Sequence, residues 1–226
     1  YVTTFKNSKF DSTILLCEVN NPSRFGIAEI KNGKILKIIE KPKDPPSNLA
    51  VTGIYLLTPL IFDVIDNLKP SWRNELEITD ALDILLKKND NISYEIITDY
   101  WKDTGTPEDI INANTQILKN QSEKKLLIEK STVIESDSSI IMPCIIGKNC
   151  KIEKNSTIGP NASIGDNTII TSNVSIKNTI IMSNCKIEGG LKINNSIISA
   201  NCHLHGNNKD NSEKLFLLGE GTRISL

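Results

Sequence analysis

The chain has 226 residues, 38% of them hydrophobic and 23% charged, an ordinary balance that can bury one large core or two modest ones. Its 26 basic and 27 acidic residues leave a net charge of −1, which excludes a chain-wide field for nucleic acid or an anionic membrane surface. An apolar run of about 18 residues and a secretory leader pattern are both absent, so no membrane partner and a cytoplasmic location are expected. The sequence opens at Tyr1 without Met, on what reads as the approach to a strand, and is expected to be a piece of a longer protein.

In chain order, the apolar run Ser12 to Val19 predicts a strand. Phe25 to Ile30 and Ile35 to Ile39 predict a hairpin around Asn32-Gly33, the strongest short turn signal. Val51 to Leu57 reads as another strand. Leu60 to Leu68 has helical spacing, as does Leu76 to Leu86, with Ile78, Ala81, Leu82, Leu85 and Leu86 on one face. A strand at Ile92 to Ile97 leads to Tyr100-Trp101-Lys102-Asp103-Thr104-Gly105. Thr106 as cap and Pro107 as first residue then open a helix to about Leu118. Read alone, these elements support only part of an α/β domain.

A second architecture follows. Ile134, Ile140, Ile146, Ile152, Ile158, Ile164, Ile170 and Ile176 recur every six residues. Two places before them stand mostly small residues, among them Ser138, Cys144, Cys150, Ser156, Ala162 and Thr168. Asn149, Asn155, Asn161, Asn167 and Asn173 hold a third fixed place. The register slips by one, and Ile181, Ile187 and Ile193 continue it with Cys185; Ile198 and Leu204 follow after another slip. Six is not a helical period. In a strand, residues two apart share a face, so each isoleucine and the small residue before it point inward. The rest form a corner, where Asn and Gly accept φ > 0. Three sides close a triangular coil of about 18 residues. The run from about Thr132 to His205 thus predicts roughly four coils of a parallel β-helix. Cys144, Cys150, Cys185 and Cys202 read as small buried thiols, and with Cys17 they form no Cys-x-x-Cys pair, which argues against zinc. The motif resembles the left-handed β-helix family, which implies the left hand. Stacked coils with flat faces imply a homo-oligomer. His203 and His205 flank the inward Leu204 and are expected to face outward.

Three stretches of the front portion lie in order at distinctive intervals: Glu40-Lys41-Pro42 followed by Leu49-Ala50-Val51-Thr52-Gly53-Ile54-Tyr55, then Arg73-Asn74-Glu75-Leu76-Glu77-Ile78-Thr79-Asp80, then Trp101-Lys102-Asp103-Thr104-Gly105. Together they closely resemble the glucose-1-phosphate thymidylyltransferases of the sugar nucleotidyltransferase family, over about residues 12 to 118, in the long form with a C-terminal β-helix. The resemblance implies that residues 1–120 are the sugar-phosphate-binding rear half of a nucleotidyltransferase domain and residues 121–226 a left-handed β-helix with a capping segment. It implies a reaction of a nucleoside triphosphate with glucose 1-phosphate, yielding dTDP-glucose and pyrophosphate with Mg²⁺ as cofactor. Lys41 and Arg73 would hold the sugar phosphate, and Glu40 would accept hydrogen bonds from sugar hydroxyls. Gly26 and Val51 match positions where backbone approaches the sugar, Trp101 shapes a wall, and Asp103 matches a catalytic metal-binding carboxylate.

Read without the resemblance, Glu40-Lys41 is a solvated strand end, Arg73 and Glu75 an ordinary surface pair, Asp103 a turn residue and Trp101 core. The family's glycine-rich phosphate loop and second metal-binding aspartate are not found before Ser12, so this chain alone is expected not to turn over. Gly219-Glu220-Gly221-Thr222-Arg223 mimics such a loop but lacks the helix that would receive phosphate, and reads as a capping strand. Alternatives are a UDP- or GDP-sugar pyrophosphorylase, an assembly or regulatory subunit, and a hexapeptide acyltransferase.

Overall fold

The computed structural model describes residues 1–89, 91–122, 127–207 and 210–226. It divides into two compact units, Tyr1–Trp101 and Lys102–Leu226. The division falls ahead of residue 120, because the helix starting at Pro107 bonds to the coils that follow it.

The first unit is a mixed sheet with helices. Its strands are β1 (Ser12–Glu18), β2 (Gly26–Lys31), β3 (Lys34–Glu40), β4 (Leu49–Leu57) and β5 (Ile92–Ile96), in the order β3-β2-β4-β1-β5. β1 runs antiparallel to β4 and parallel to β5, and its residues from Ser12 to Leu16 are buried. Its near-continuous apolar run suits a central strand packed on both faces. The helices are α1 (Val2–Asn7), α2 (Leu60–Ile65) and α3 (Ile78–Asn89). The apolar stripe of α3 buries Ala81, Leu82, Leu85 and Leu86 in one cluster with Ile14, Leu16, Ile35, Ile38, Ile61 and Val64.

Several boundaries differ from the sequence reading. The opening residues form α1 rather than a strand approach, although α1 buries nothing. α2 stops at Ile65 instead of Leu68: Pro70 disfavours helical geometry at Lys69, and the last turn closes by a Leu68 N–H to Ile65 carbonyl bond of 3.0 Å. α3 starts at Ile78 rather than Leu76, whose side chain lies outside the helix and is exposed.

In the second unit, α4 (Pro107–Ser122) is capped as expected. Thr106 Oγ1 accepts the Asp109 N–H at 3.2 Å and donates to Asp109 Oδ2 at 2.7 Å. Ser163 Oγ donates to Asn114 Oδ1 at 2.6 Å, tying α4 to the coils. These form a parallel β-helix with three sheets of six, six and five short strands. It runs from Leu127–Ile128 to Arg223–Ser225, about five turns rather than four. Ile134, Ile152 and Ile170 stack in register eighteen residues apart; from Ile164 to Ile181 the spacing drops to seventeen. The inward column from Ile146 to Ile198 is buried, as are Cys144, Cys150, Cys185 and Cys202. Burial pushes the Cys144 thiol up to about 11, so it stays protonated at neutral pH.

The corners explain the asparagines. Asn149, Asn167, Asn184 and Asn201 all have φ between 54° and 62°, a left-handed conformation that Asn accepts more readily than most residues. Their side chains form a ladder in which each Nδ2 donates to the next Oδ1 at 3.1 to 3.2 Å, ending on Glu220 Oε1 at 2.7 Å. The Gly219–Thr222 stretch is therefore the last turn of that corner, and Arg223–Ser225 is the edge strand beside His203–His205.

Two substitutions test this packing. Ile158→Asp places an unpaired charge among stacked isoleucines and is expected to cost at least ~3 kcal/mol, read as a lowered thermal midpoint. Asn167→Ala, which loses two rungs and keeps a strained φ of 58°, is expected to cost about 1–2 kcal/mol in denaturant melts.

Candidate functional site

The site starts with a hairpin. Asn32 and Gly33 both have positive φ, 53° and 75°, which makes the two-residue turn whose twist matches the strands. That turn pairs Lys31 with Lys34 and Ile30 with Ile35. A bulge that leaves Leu36 unpaired then shifts the register by one, so that Glu29 faces Lys37 and Gly26 faces Glu40 at the open end. One more rung follows, with the Lys41 N–H donating to the Phe25 carbonyl at 3.0 Å. Lys41 has φ of 41°, a conformation costing a residue with a Cβ roughly 1–2 kcal/mol. The rung to Phe25 holds it on one side, and Pro42 bars right-handed helical geometry on the other. Strain of this kind collects at functional sites.

A second segment supplies the guanidinium. The chain from Ser71 to Glu77 turns on itself: the Ser71 N–H donates to the Glu75 carbonyl at 2.8 Å, and Asn74 sits at φ of 61°. Arg73 is thereby aimed at three carboxylates. Its Nη1 lies 3.0 Å from Glu77 Oε1 and 3.7 Å from Glu40 Oε1, and its Nη2 lies 3.0 Å from Glu75 Oε2. Glu77 is buried and also accepts from Ser71 Oγ at 3.2 Å.

Glu40 joins the two segments. Its Oε2 accepts from Thr79 Oγ1 at 2.9 Å, while its Oε1 faces Arg73 and lies 3.9 Å from Lys41 Nζ. Gly26 is needed here for a local reason: a Cβ on it would lie 2.5 Å from Thr79 Cγ2 and 3.1 Å from Glu40 Oε2. Burial, and secondarily the Glu40 charge, push the Tyr55 phenol up, so it remains neutral. Trp101 Nε1–H donates to the Thr52 carbonyl at 3.2 Å, and its ring meets Phe25 edge-on with centroids 5.8 Å apart. Val51, next to Thr52 on β4, is buried in the core of the unit.

Gly26, Glu40, Lys41 and Arg73 therefore meet in one cluster, and Trp101 is anchored to the strand that carries Val51. Asp103 belongs to the other compact unit, on an exposed stretch ahead of α4. Among the described residues no three His, Cys, Asp or Glu side chains gather as a metal cage. Mg²⁺ does not require one, since it keeps several waters and commonly takes one or two carboxylates plus substrate phosphates. An exposed carboxylate such as Asp103 suits that kind of open site as a single ligand. Thr79, Glu77 and Phe25 were missed as site members. Thr79 and Glu77 lie inside a stretch singled out for its resemblance, but nothing local signals that Thr79 bonds a residue 39 positions away.

Residues 1–120 match the family model described as nucleotidyl transferase, and residues 140–225 match that described as the GMPPB C-terminal domain. The low-salt glycan biosynthesis nucleotidyltransferase Agl11 of Haloferax volcanii is 47% identical over 125 residues, covering 55% of this chain and 35% of that protein. The bifunctional protein GlmU of Methanococcus aeolicus is 45% identical over 53% of this chain and 29% of its own length. A glucose-1-phosphate thymidylyltransferase of Streptomyces antibioticus is 40% identical over 53% of this chain and 34% of its own. The chain spans about a third of the length of these curated relatives. No helix among the described residues is long and apolar enough to cross a membrane.

Gly26→Ala is expected to cost about 1–3 kcal/mol through the contact with Thr79 Cγ2. Adding Thr79→Ser, which removes that methyl group and keeps the hydroxyl on Glu40, should regain most of the loss. Equal melting temperatures for the single and double variants would place the clash elsewhere.

Proposed function

This chain belongs to the nucleotidyl transferase family, and on that premise we propose that its first unit binds the sugar phosphate in a glucose-1-phosphate thymidylyltransferase. The observation that carries the reading is the cluster at the hairpin end, where an oriented acceptor carboxylate, Glu40, stands beside the two cations Lys41 and Arg73. A sugar 1-phosphate offers matching chemistry: hydroxyl donors at one end and an anionic phosphate at the other.

In the proposed reaction an oxygen of the sugar phosphate bonds to the α-phosphorus of dTTP. The bond from that phosphorus to the bridging oxygen breaks, and pyrophosphate leaves with the electron pair. Both reactants are anions, so the barrier is lowered by cations and in-line positioning rather than by a covalent intermediate. Arg73 presents a planar fork and Lys41 a point charge to the phosphate, while Glu40 fixes the sugar by accepting from its hydroxyls. Gly26 leaves Thr79 room to orient Glu40, the β4 backbone around Val51 lines the sugar, and Trp101 closes the wall. Asp103 is assigned as one carboxylate ligand of Mg²⁺, which when bound would neutralise phosphate charge. The coils serve assembly as a homo-oligomer, and the enzyme works in the cytoplasm.

Isothermal titration of this chain with glucose 1-phosphate should show binding that Arg73→Lys weakens by about tenfold, through loss of the fork. An unchanged Kd overturns the assignment of Arg73. Pyrophosphate release by the protein of which this chain is a part, crossing dTTP, UTP and GTP with glucose and mannose 1-phosphates, should be fastest for dTTP with glucose 1-phosphate. A maximum with UTP or GTP would assign the corresponding pyrophosphorylase instead.

A further inference from the structure

The guanidinium of Arg73 is held by two carboxylates of unlike character. Glu77 is the inner one: its side chain is 11% exposed, it takes Nη1 at 3.0 Å, and it also accepts from Ser71 Oγ. Glu75 is the outer one: its side chain is 56% exposed, it forms an ion pair with Nη2 at 3.0 Å, and among the described residues no other side chain holds it. Arg73 itself is 23% exposed.

We propose that Glu75 is an exchangeable counter-ion, seated on the outer nitrogen of Arg73 until a phosphate displaces it, and that it thereby sets how tightly the site takes sugar phosphates. This rests on the assignment of Arg73 to the sugar phosphate. A phosphate oxygen meets the same N–H donors as a carboxylate oxygen and carries more charge, so it can take over Nη2 with similar geometry. Glu40, Glu75 and Glu77 already place three negative charges around the two positive ones of Lys41 and Arg73. An arriving phosphate is therefore repelled as long as Glu75 stays. Letting Glu75 go is cheap, because an exposed ion pair contributes little and its carboxylate is rehydrated on leaving. Releasing Glu77 is expensive, because a buried carboxylate would lose its charge partner. The inner carboxylate thus aims the fork and the outer one guards it.

The test is titration calorimetry of this chain at low ionic strength, with glucose 1-phosphate and, separately, inorganic phosphate. Glu75→Gln should tighten both ligands by about two- to fivefold, and the gain should shrink in high salt. Glu77→Gln should move affinity the other way, by loosening the fork. Glu75 is exposed and its backbone carbonyl keeps the bond from Ser71, so the variant retains the turn. Unchanged or weaker phosphate binding by Glu75→Gln overturns the proposal. Arg73→Lys separates this from the parent assignment: if Arg73→Lys binds glucose 1-phosphate as well as the native chain, Arg73 is not the phosphate ligand and both readings fall. If it weakens binding while Glu75→Gln does not tighten it, only the counter-ion role falls.

Discussion

The contact on which the site depends is the grip of the buried Glu77 carboxylate on Arg73. A guanidinium on a free side chain would lose rotamer entropy on meeting its ligand and could point anywhere. Here the Ser71–Glu77 turn fixes it before any ligand arrives. Ser71 bonds both the Arg73 N–H and the Glu77 carboxylate, so backbone and side chain are set by one hydroxyl. From that fixed point Glu40 falls into place, held by Thr79 on one oxygen and facing Arg73 with the other. Preorganisation of this kind is what an electrostatically driven transfer between anions requires.

The hairpin contributes the second cation by a different route. Its turn starts the register, the bulge at Leu36 shifts it by one so that Gly26 faces Glu40, and Lys41, in a left-handed conformation, makes the last rung to Phe25. The absence of a side chain at Gly26 lets the hairpin and α3 approach closely enough for Glu40 and Thr79 to bond.

Legibility followed periodicity. The coils were readable because inward isoleucines every sixth residue have no helical explanation, and the asparagine positions marked the left-handed corners. The end of the β-helix was not readable, because the last coil breaks the frame: the partner of Ile193 comes 21 residues later instead of 17 or 18, and it is Lys214 rather than an apolar residue. The helix α1 was missed because its residues include two threonines and bury nothing. At the site, Glu40, Lys41 and Arg73 stood out as charged members of recognisable stretches. The role of Thr79 depended on a contact across 39 residues, and Glu77 looked like any helix-flanking carboxylate until its burial was seen.

The most direct test of the account is a crystal structure of this chain soaked with glucose 1-phosphate. The account predicts the phosphate within hydrogen-bond reach of Arg73 and Lys41 and a sugar hydroxyl on Glu40. A sugar phosphate bound on the coils instead, with the Arg73 cluster unchanged, would contradict it.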